Sequence, residues 1–336
     1  MHSPSLPPCV NAVDSIRYGL EDDCQFTITS NGVHFEVLLS VDSPPHTIER
    51  DYLDRIHALQ KAKNQDELDL LFDEISDVLA VSCQPFFRQF AQCHGAFSPR
   101  TLNDYCNPKV VGLRVCTRDE KLCIILEEDL STFPYYWNHA GLSRYQLGPG
   151  IPAFALSQIE VLDVMKHDAV FKVCIEGTTL CAKMTSHQSE LHSLKREISS
   201  LLQIQRTDFR TRLSIPSVVG LITSDEDCCS ALGFLMDYID TDTTKPHLQA
   251  LVESASKQQR QKWATQISDM VQQLHLHGLV WGDVKAQNVL ISCDDNAWVV
   301  DFGGSFTDGW VTGELANTKE GDMMGLQKIQ SLLRND

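Results

Sequence analysis

Apolar and polar positions along the chain follow two rhythms. Residues 25–29 and 33–39 alternate, with Ser30, Asn31 and Gly32 between them. An Asn-Gly pair between alternating runs predicts a hairpin, because the tight turn needs φ > 0 at both central positions. After Pro44-Pro45 the period lengthens: Ile48, Leu53, Ile56 and Leu59 predict a helix over 47–61. Leu68, Leu71, Phe72, Ile75, Val78 and Leu79 predict a second over 66–92, broken near Pro85. Alternation returns over 109–126 in two runs around Thr117, Arg118, Asp119 and Glu120, a further hairpin. Residues 133–152, rich in Tyr, Trp, Gly and Pro and without a period, predict a long loop and a domain boundary. Residues 1–20, with their Pro and Ser, are expected to be poorly ordered. No chemistry is legible in 21–150.

Beyond the boundary, short apolar runs predict strands over 159–164, 169–175 and 178–184. A stripe of Leu191, Leu194, Ile198, Leu201 and Leu202 predicts a helix over 189–205. Strands are expected over 217–221 and 231–239. A long helix over 258–277 buries Trp263, Ile267, Met270, Val271 and Leu274 and stops at Gly278. Two β-branched runs, 288–291 and 298–300, flank the polar turn of Cys293, Asp294, Asp295 and Asn296 and form a hairpin. An amphipathic helix follows from Asp322.

The stretch 279–303 concentrates the chemistry. Its hairpin brings Asn288 and Asp301 together, with Asp283 and Lys285 in the preceding loop. Phosphoryl transfer from a nucleotide needs oxygen ligands for Mg²⁺, a carboxylate aimed at the attacking hydroxyl, and a cation to compensate charge on the moving group. Asn288 and Asp301 suit the ligands, Asp283 the base and Lys285 the cation. His275 and His277 lie two apart on a helix and face different directions, which argues against a metal pair.

Trp281-Gly282-Asp283-Val284-Lys285-Ala286-Gln287-Asn288 and Asp301-Phe302-Gly303 resemble the HRDxxxxN and DFG motifs of the protein kinases. The resemblance covers residues 155–333 and implies an α+β, two-lobed protein-kinase-like fold with an N-terminal α/β extension. It implies ATP and Mg²⁺ as cofactors, and an unidentified hydroxyl acceptor, protein or small molecule. Lys183, in Leu180-Cys181-Ala182-Lys183, matches the lysine that pairs with nucleotide phosphates. Glu197 is the first choice for its helix partner and Glu190 the second. Cys181 takes the place of the small residue above the adenine. Met236 matches the gatekeeper, and Asp237, Tyr238 and Ile239 the hinge that holds the adenine edge by its backbone. Asp322 matches the buried acid that braces the catalytic loop.

Three departures qualify the resemblance. The turn of Met165, Lys166, His167 and Asp168 has no glycine where kinases fold a Gly-rich loop over the phosphates. Gly282 replaces the Arg of HRD, so control by a phosphate paired with that Arg is not expected. After Gly303 no APE motif follows, and the 33 residues to the end leave no room for the usual substrate-binding helices. Such short forms resemble fungal protein-kinase-like proteins acting on Ser or Thr. The expected domains are thus an N-terminal extension over 21–150, a small lobe over 155–240 and a shortened large lobe over 241–336. Two alternatives stand beside a serine/threonine kinase. The Gly282-Asp283 pair also occurs in small-molecule kinases of the aminoglycoside and choline type, and the absent glycines suit an inactive pseudokinase serving as a binding module.

Composition narrows the setting. A 43% hydrophobic and 22% charged chain of 336 residues is that of an ordinary globular protein. Its net charge of −17 argues against nucleic acid or an anionic membrane surface as partner. No apolar run is long enough to span a bilayer, and the first residues lack a charged leader followed by an apolar core. The 12 cysteines include no CxxC pair, and are expected to be reduced thiols in a cytoplasmic, alternatively nuclear, protein.

Overall fold

The computed structural model describes residues 15–20, 23–91, 101–128, 141–148, 150–166, 169–185, 190–208, 210–304, 307 and 309–334. They divide into two compact units, one drawn from Met1–Ser98 and Asp104–Trp137, the other from Pro99–Asn103 and Asn138–Asp336.

The first unit is a five-stranded sheet backed by helices. Strand β1 (Ser15–Leu20) pairs with β2 (Cys24–Ser30), and β2 with β3 (Val33–Leu39), both antiparallel. The β2–β3 turn has Asn31 at φ 49° and Gly32 at φ 73°, as the Asn-Gly pair demands. Helices α1 (Ile48–Ala62), α2 (Gln65–Ser82) and α3 (Gln84–Phe90) follow, with the break between the last two at Cys83, just before Pro85. A short helix α4 (Leu102–Cys106), of which Leu102 and Asn103 are assigned to the second unit, precedes β4 (Lys109–Arg118), which joins β3 in parallel and turns back as β5 (Lys121–Glu127). Phe26, Phe35, Val37 and Leu113 of the sheet interdigitate with Leu53, Phe72, Ile75 and Phe87 of the helices. The Phe35 and Phe87 rings meet edge-on at 4.7 Å.

One expectation is corrected here. Residues 15–20 are not irregular: in register with β2 from Ser15 opposite Thr29 to Leu20 opposite Cys24, they give its outer edge a hydrogen-bonding partner. Residues 1–14 lie outside the described residues.

The second unit is two-layered at its N-terminal side. Strands β6 (Leu142–Ser143) and β7 (Ala153–Ala155) lead into β8 (Glu160–Lys166), β9 (Val170–Ile175) and β10 (Thr178–Met184). Helix α5 (Leu191–Gln205) follows, then β11 (Val218–Thr223) and β12 (Ser230–Asp237). The sheet order is β7-β11-β12-β10-β9-β8, with β6 on β12. The expected structureless segment therefore contains ordered elements. Leu142 and Ser143 pair with Ala231 and Ser230, a link too short to give the sequence any period. His167 and Asp168 of the glycine-free turn, and residues 129–140, lie outside the described residues.

Helix α6 (Leu248–Leu251) leads into α7 (Lys257–Leu276). Ser256 and Gln259 cap α7 reciprocally, a capping box, and Gly278 ends it at φ 75°. The hairpin β13 (Val289–Ile291) and β14 (Ala297–Val299) packs on α7, where Gln266 clamps the Ala297 and Asn296 ends of the turn. Helix α8 (Lys319–Arg334) closes the unit. One apolar cluster runs from Ile198 and Phe234 through Trp263 and Ile267 to Trp281, Phe302 and Ile329. This continuous core holds the loop at 279–288 against both layers. Among the described residues no helix is long and apolar enough to cross a membrane.

Candidate active site

The loop at 279–288 leaves α7 as Leu279-Val280-Trp281 and is pinned from behind. Asp322, 1% exposed near the start of α8, accepts the Trp281 and Gly282 amides at 2.8 Å each, and His275 Nε2 lies 2.8 Å from it. His277 instead places Nδ1 on the Gln273 carbonyl, so the two histidines diverge. Gly325, one turn along α8, lets the helix approach Val284; a Cβ there would lie 2.6 Å from the Val284 oxygen.

Ahead of this brace, Asp283 is buried and its Oδ2 accepts Lys285 Nζ at 2.7 Å and Asn288 Nδ2 at 3.1 Å. Asn288 Nδ2 also donates to the Asp283 carbonyl at 2.9 Å. Thr307 offers its hydroxyl to Asp283 Oδ1 at 3.3 Å and accepts from Lys285 Nζ at 3.1 Å.

Across the cleft, Lys183 Nζ lies 2.7 Å from Glu197 Oε2 and 2.9 Å from Asp301 Oδ1. Burial alone would pull the Lys183 ammonium down, but Glu197 and Asp301 together hold it above the ordinary lysine value. Burial opposes the Asp301 charge as well, yet the Lys183 ammonium keeps that carboxyl below its usual range. Burial pushes the Glu197 carboxyl up against the pull of Lys183. Asp301 sits at φ 64°, a left-handed conformation that costs a non-glycine residue on the order of 1–3 kcal/mol. That strain turns its carboxylate to Lys183 while Phe302 beside it is buried. Glu190 faces elsewhere and accepts the Thr185 hydroxyl at 2.6 Å.

The remaining expected positions lie along β10 and β12. Cys181 stands opposite Met236 in the sheet, and on the same face of β10 as Lys183. The Asp237 carboxylate accepts the Ser217 amide at 2.8 Å. Tyr238 lies under the Lys172 ammonium, 4.3 Å from its ring centre, and Ile239 is buried. The structure thus brings Lys183, Glu197 and Asp301 into one contact set, and Asp283, Lys285 and Asn288 into another.

Asn288 and Asp301 supply hard oxygen donors of the kind Mg²⁺ prefers, and Asn288 spends only its amide nitrogen on Asp283, which leaves its carbonyl oxygen for other use. The donor set fits that metal. Bound there, Mg²⁺ would neutralise charge on phosphate oxygens. Two residues of the site were not anticipated, Thr307 and Arg196. The second has one signal in the sequence, the glycine at 282.

The fold of this unit is protein-kinase-like, α+β and two-lobed. Residues 168–309 match the model of the protein kinase domain, a domain that in general uses ATP and Mg²⁺. Among curated proteins, a mitogen-activated protein kinase kinase kinase, dlk-1 of Caenorhabditis elegans, is 26% identical over 158 residues, which cover 46% of this chain and 15% of that protein. The chain therefore spans a small part of that relative's length.

Proposed function

We infer that the second unit is a Mg²⁺- and ATP-dependent phosphotransferase acting on a Ser or Thr hydroxyl. The observation that supports this most is the contact of Lys183 with both Glu197 and Asp301, at 2.7 and 2.9 Å. A lysine held charged between two acids is poised to receive phosphate oxygens. Lys183 and Glu197 orient the nucleotide, Cys181 and Met236 bound the adenine, and the backbone of Asp237, Tyr238 and Ile239 holds its edge. Asn288 and Asp301 hold the metal. Asp283 orients the acceptor hydroxyl and takes its proton as the O–P bond forms, and Lys285 compensates charge on the transferred group.

Lys285, two positions after Asp283 as in the protein-kinase loop that the stretch resembles, favours a serine or threonine acceptor. The second reading, a small-molecule acceptor, is favoured by the Gly282-Asp283 pair. The fungal likeness and a cytoplasmic location belong to the same proposal. The latter is supported by the free state of the described cysteines.

Mg-ATP is expected to raise the melting temperature of the purified protein, and Asp301→Ala to abolish the shift. No shift at millimolar nucleotide would reject both catalytic readings in favour of a non-enzymatic module. Labelled ATP offered to protein and metabolite acceptors then separates the two.

A further inference from the structure

Arg196 immediately precedes Glu197 on α5, so the two side chains leave the helix about 100° apart. Glu197 goes to Lys183. Arg196 crosses to the other layer, where Nη1 donates to the Trp281 carbonyl at 3.2 Å and to the Phe302 carbonyl, and Nη2 to the Val280 carbonyl at 3.3 Å. Those three carbonyls belong to the segment entering Asp283 and to the residue after Asp301. One guanidinium therefore ties the Glu197 helix to the base loop and to the metal-ligand turn.

The slot it occupies is built for it. Gly282 and Gly304 adopt φ 96° and 73°, conformations that disfavour side chains. A Cβ at Gly282 would lie 2.4 Å from Arg196 Nη2, and one at Gly304 2.8 Å from its Cδ and Nε. A side chain at either position would crowd both the arginine and Asn317 Oδ1, which lines the same space 2.7 Å from a Cβ at Gly282 and 2.2 Å from one at Gly304. Gly282 is also where the kinase pattern has its own arginine, the one that answers to an activating phosphate. Here that residue is absent, and a guanidinium delivered from α5 lies against the vacated position. The three hydrogen bonds it makes go to main-chain carbonyls, which are present in every copy of the chain whatever its modification. A planar fork suits three carbonyls in a way a lysine ammonium does not.

We propose that Arg196 is a positioning residue that locks α5 to the catalytic loop and the Asp301 turn, assembling Lys183–Glu197 and Asp283 as one unit without an activating phosphate. The inference rests on the phosphotransferase reading for its effect on rate, and on geometry alone for the coupling.

The test uses the full chain with Arg196→Met, which keeps much of the volume without the fork, and Arg196→Ala. ADP release from Mg-ATP is expected to fall about 10²-fold in both, the scale of a small misplacement of reacting groups. Millimolar methylguanidinium is expected to restore the Ala variant at least about tenfold while ethylamine does not, because the fork is what the slot lacks. Phosphatase treatment should leave wild-type turnover unchanged. Wild-type rates in the Met variant, no rescue by methylguanidinium, or a large loss on phosphatase treatment would each overturn the proposal.

If wild-type protein neither binds nor turns over Mg-ATP, the phosphotransferase reading fails by itself. Hydrogen exchange without nucleotide then decides the coupling. Amides of 191–205 and of 279–284 should exchange faster together in the Met variant, or in Arg196→Lys where the Met variant does not fold. Acceleration of one segment alone, or of neither, sinks the inference.

Discussion

Asp322 holds three partners at 2.8 Å from a buried position, and its removal gives a prediction that depends on no assumption about activity. Its carboxylate is 1% exposed, with Oδ1 on the Gly282 amide and Oδ2 on the Trp281 amide, both at 2.8 Å, and with His275 Nε2 at 2.8 Å. A hydrogen bond to a charged group is worth about 1.5–3 kcal/mol net, and a buried amide left unpaired costs about 1–3 kcal/mol. These terms overlap, because the lost bonds and the orphaned amides are the same contacts. Asp322→Ala should therefore cost about 3–5 kcal/mol. For a unit of this size, at about 2–4 °C per kcal/mol, the melting midpoint should fall by roughly 10 °C.

Tryptophan fluorescence suits the measurement, since Trp263, Trp281, Trp298 and Trp310 all lie in the second unit. Asp322→Asn should show a smaller loss. It retains one acceptor, but both carboxylate oxygens face N–H donors, so its amide nitrogen must meet one of them. A midpoint for Asp322→Ala within about 2 °C of wild type would refute the claim that these bonds hold the loop.

Three further outcomes follow from the site. Asp283→Asn should lower turnover by about 10²–10⁴-fold while leaving the Mg-ATP melting shift nearly intact; unchanged turnover would refute the proposal that Asp283 is the base. Burial pushes the Cys181 thiol from 9.0 up to about 12, so at pH 8 its thiolate population is about 10³-fold below that of an ordinary cysteine. Peptide mapping after iodoacetamide should find exposed Cys228 and Cys229 modified and Cys181 spared, and equal rates would contradict its burial. The Lys183–Asp301 link should be insensitive to pH across the neutral range. Asp301, depressed, contributes stability that is present above 3.8 and lost as pH falls through its lower folded value. Lys183, raised, contributes stability that is present below 10.5 and lost only as pH rises through its higher folded value. The melting difference between wild type and Asp301→Asn should accordingly stay flat from about pH 6 to 9 and shrink in acid. A marked slope within that window would mean another group controls the pair.

What the sequence discloses depends on whether partners are close along the chain and whether they are side chains. The Asn31-Gly32 hairpin was legible because both turn residues adopt the positive φ their types favour. The turn at Asp119 and Glu120 has φ 50° and 61° without a glycine, so alternation placed that hairpin and turn chemistry did not. Strand β1 escaped notice because its neighbours argue for disorder, and only its register on β2 declares it. In the site, Asp283, Lys285 and Asn288 occupy one short loop, and their spacing alone suggests that they meet. Lys183 and Asp301 are 118 residues apart, and only resemblance to a family could pair them before a structure did.

Arg196 marks the limit of such reading. Its partners are the carbonyls of Val280, Trp281 and Phe302, groups that every residue type presents, so no pattern of side chains announces them. What the sequence does contain is the complement of the arginine, two glycines set on either side of the Asp283 and Asp301 motifs. Gly282 taken alone looks like the loss of a regulatory arginine. Beside Gly304 and Arg196 it becomes the space that lets another arginine in, and the substitution that removes one mode of control is the one that admits a permanent brace.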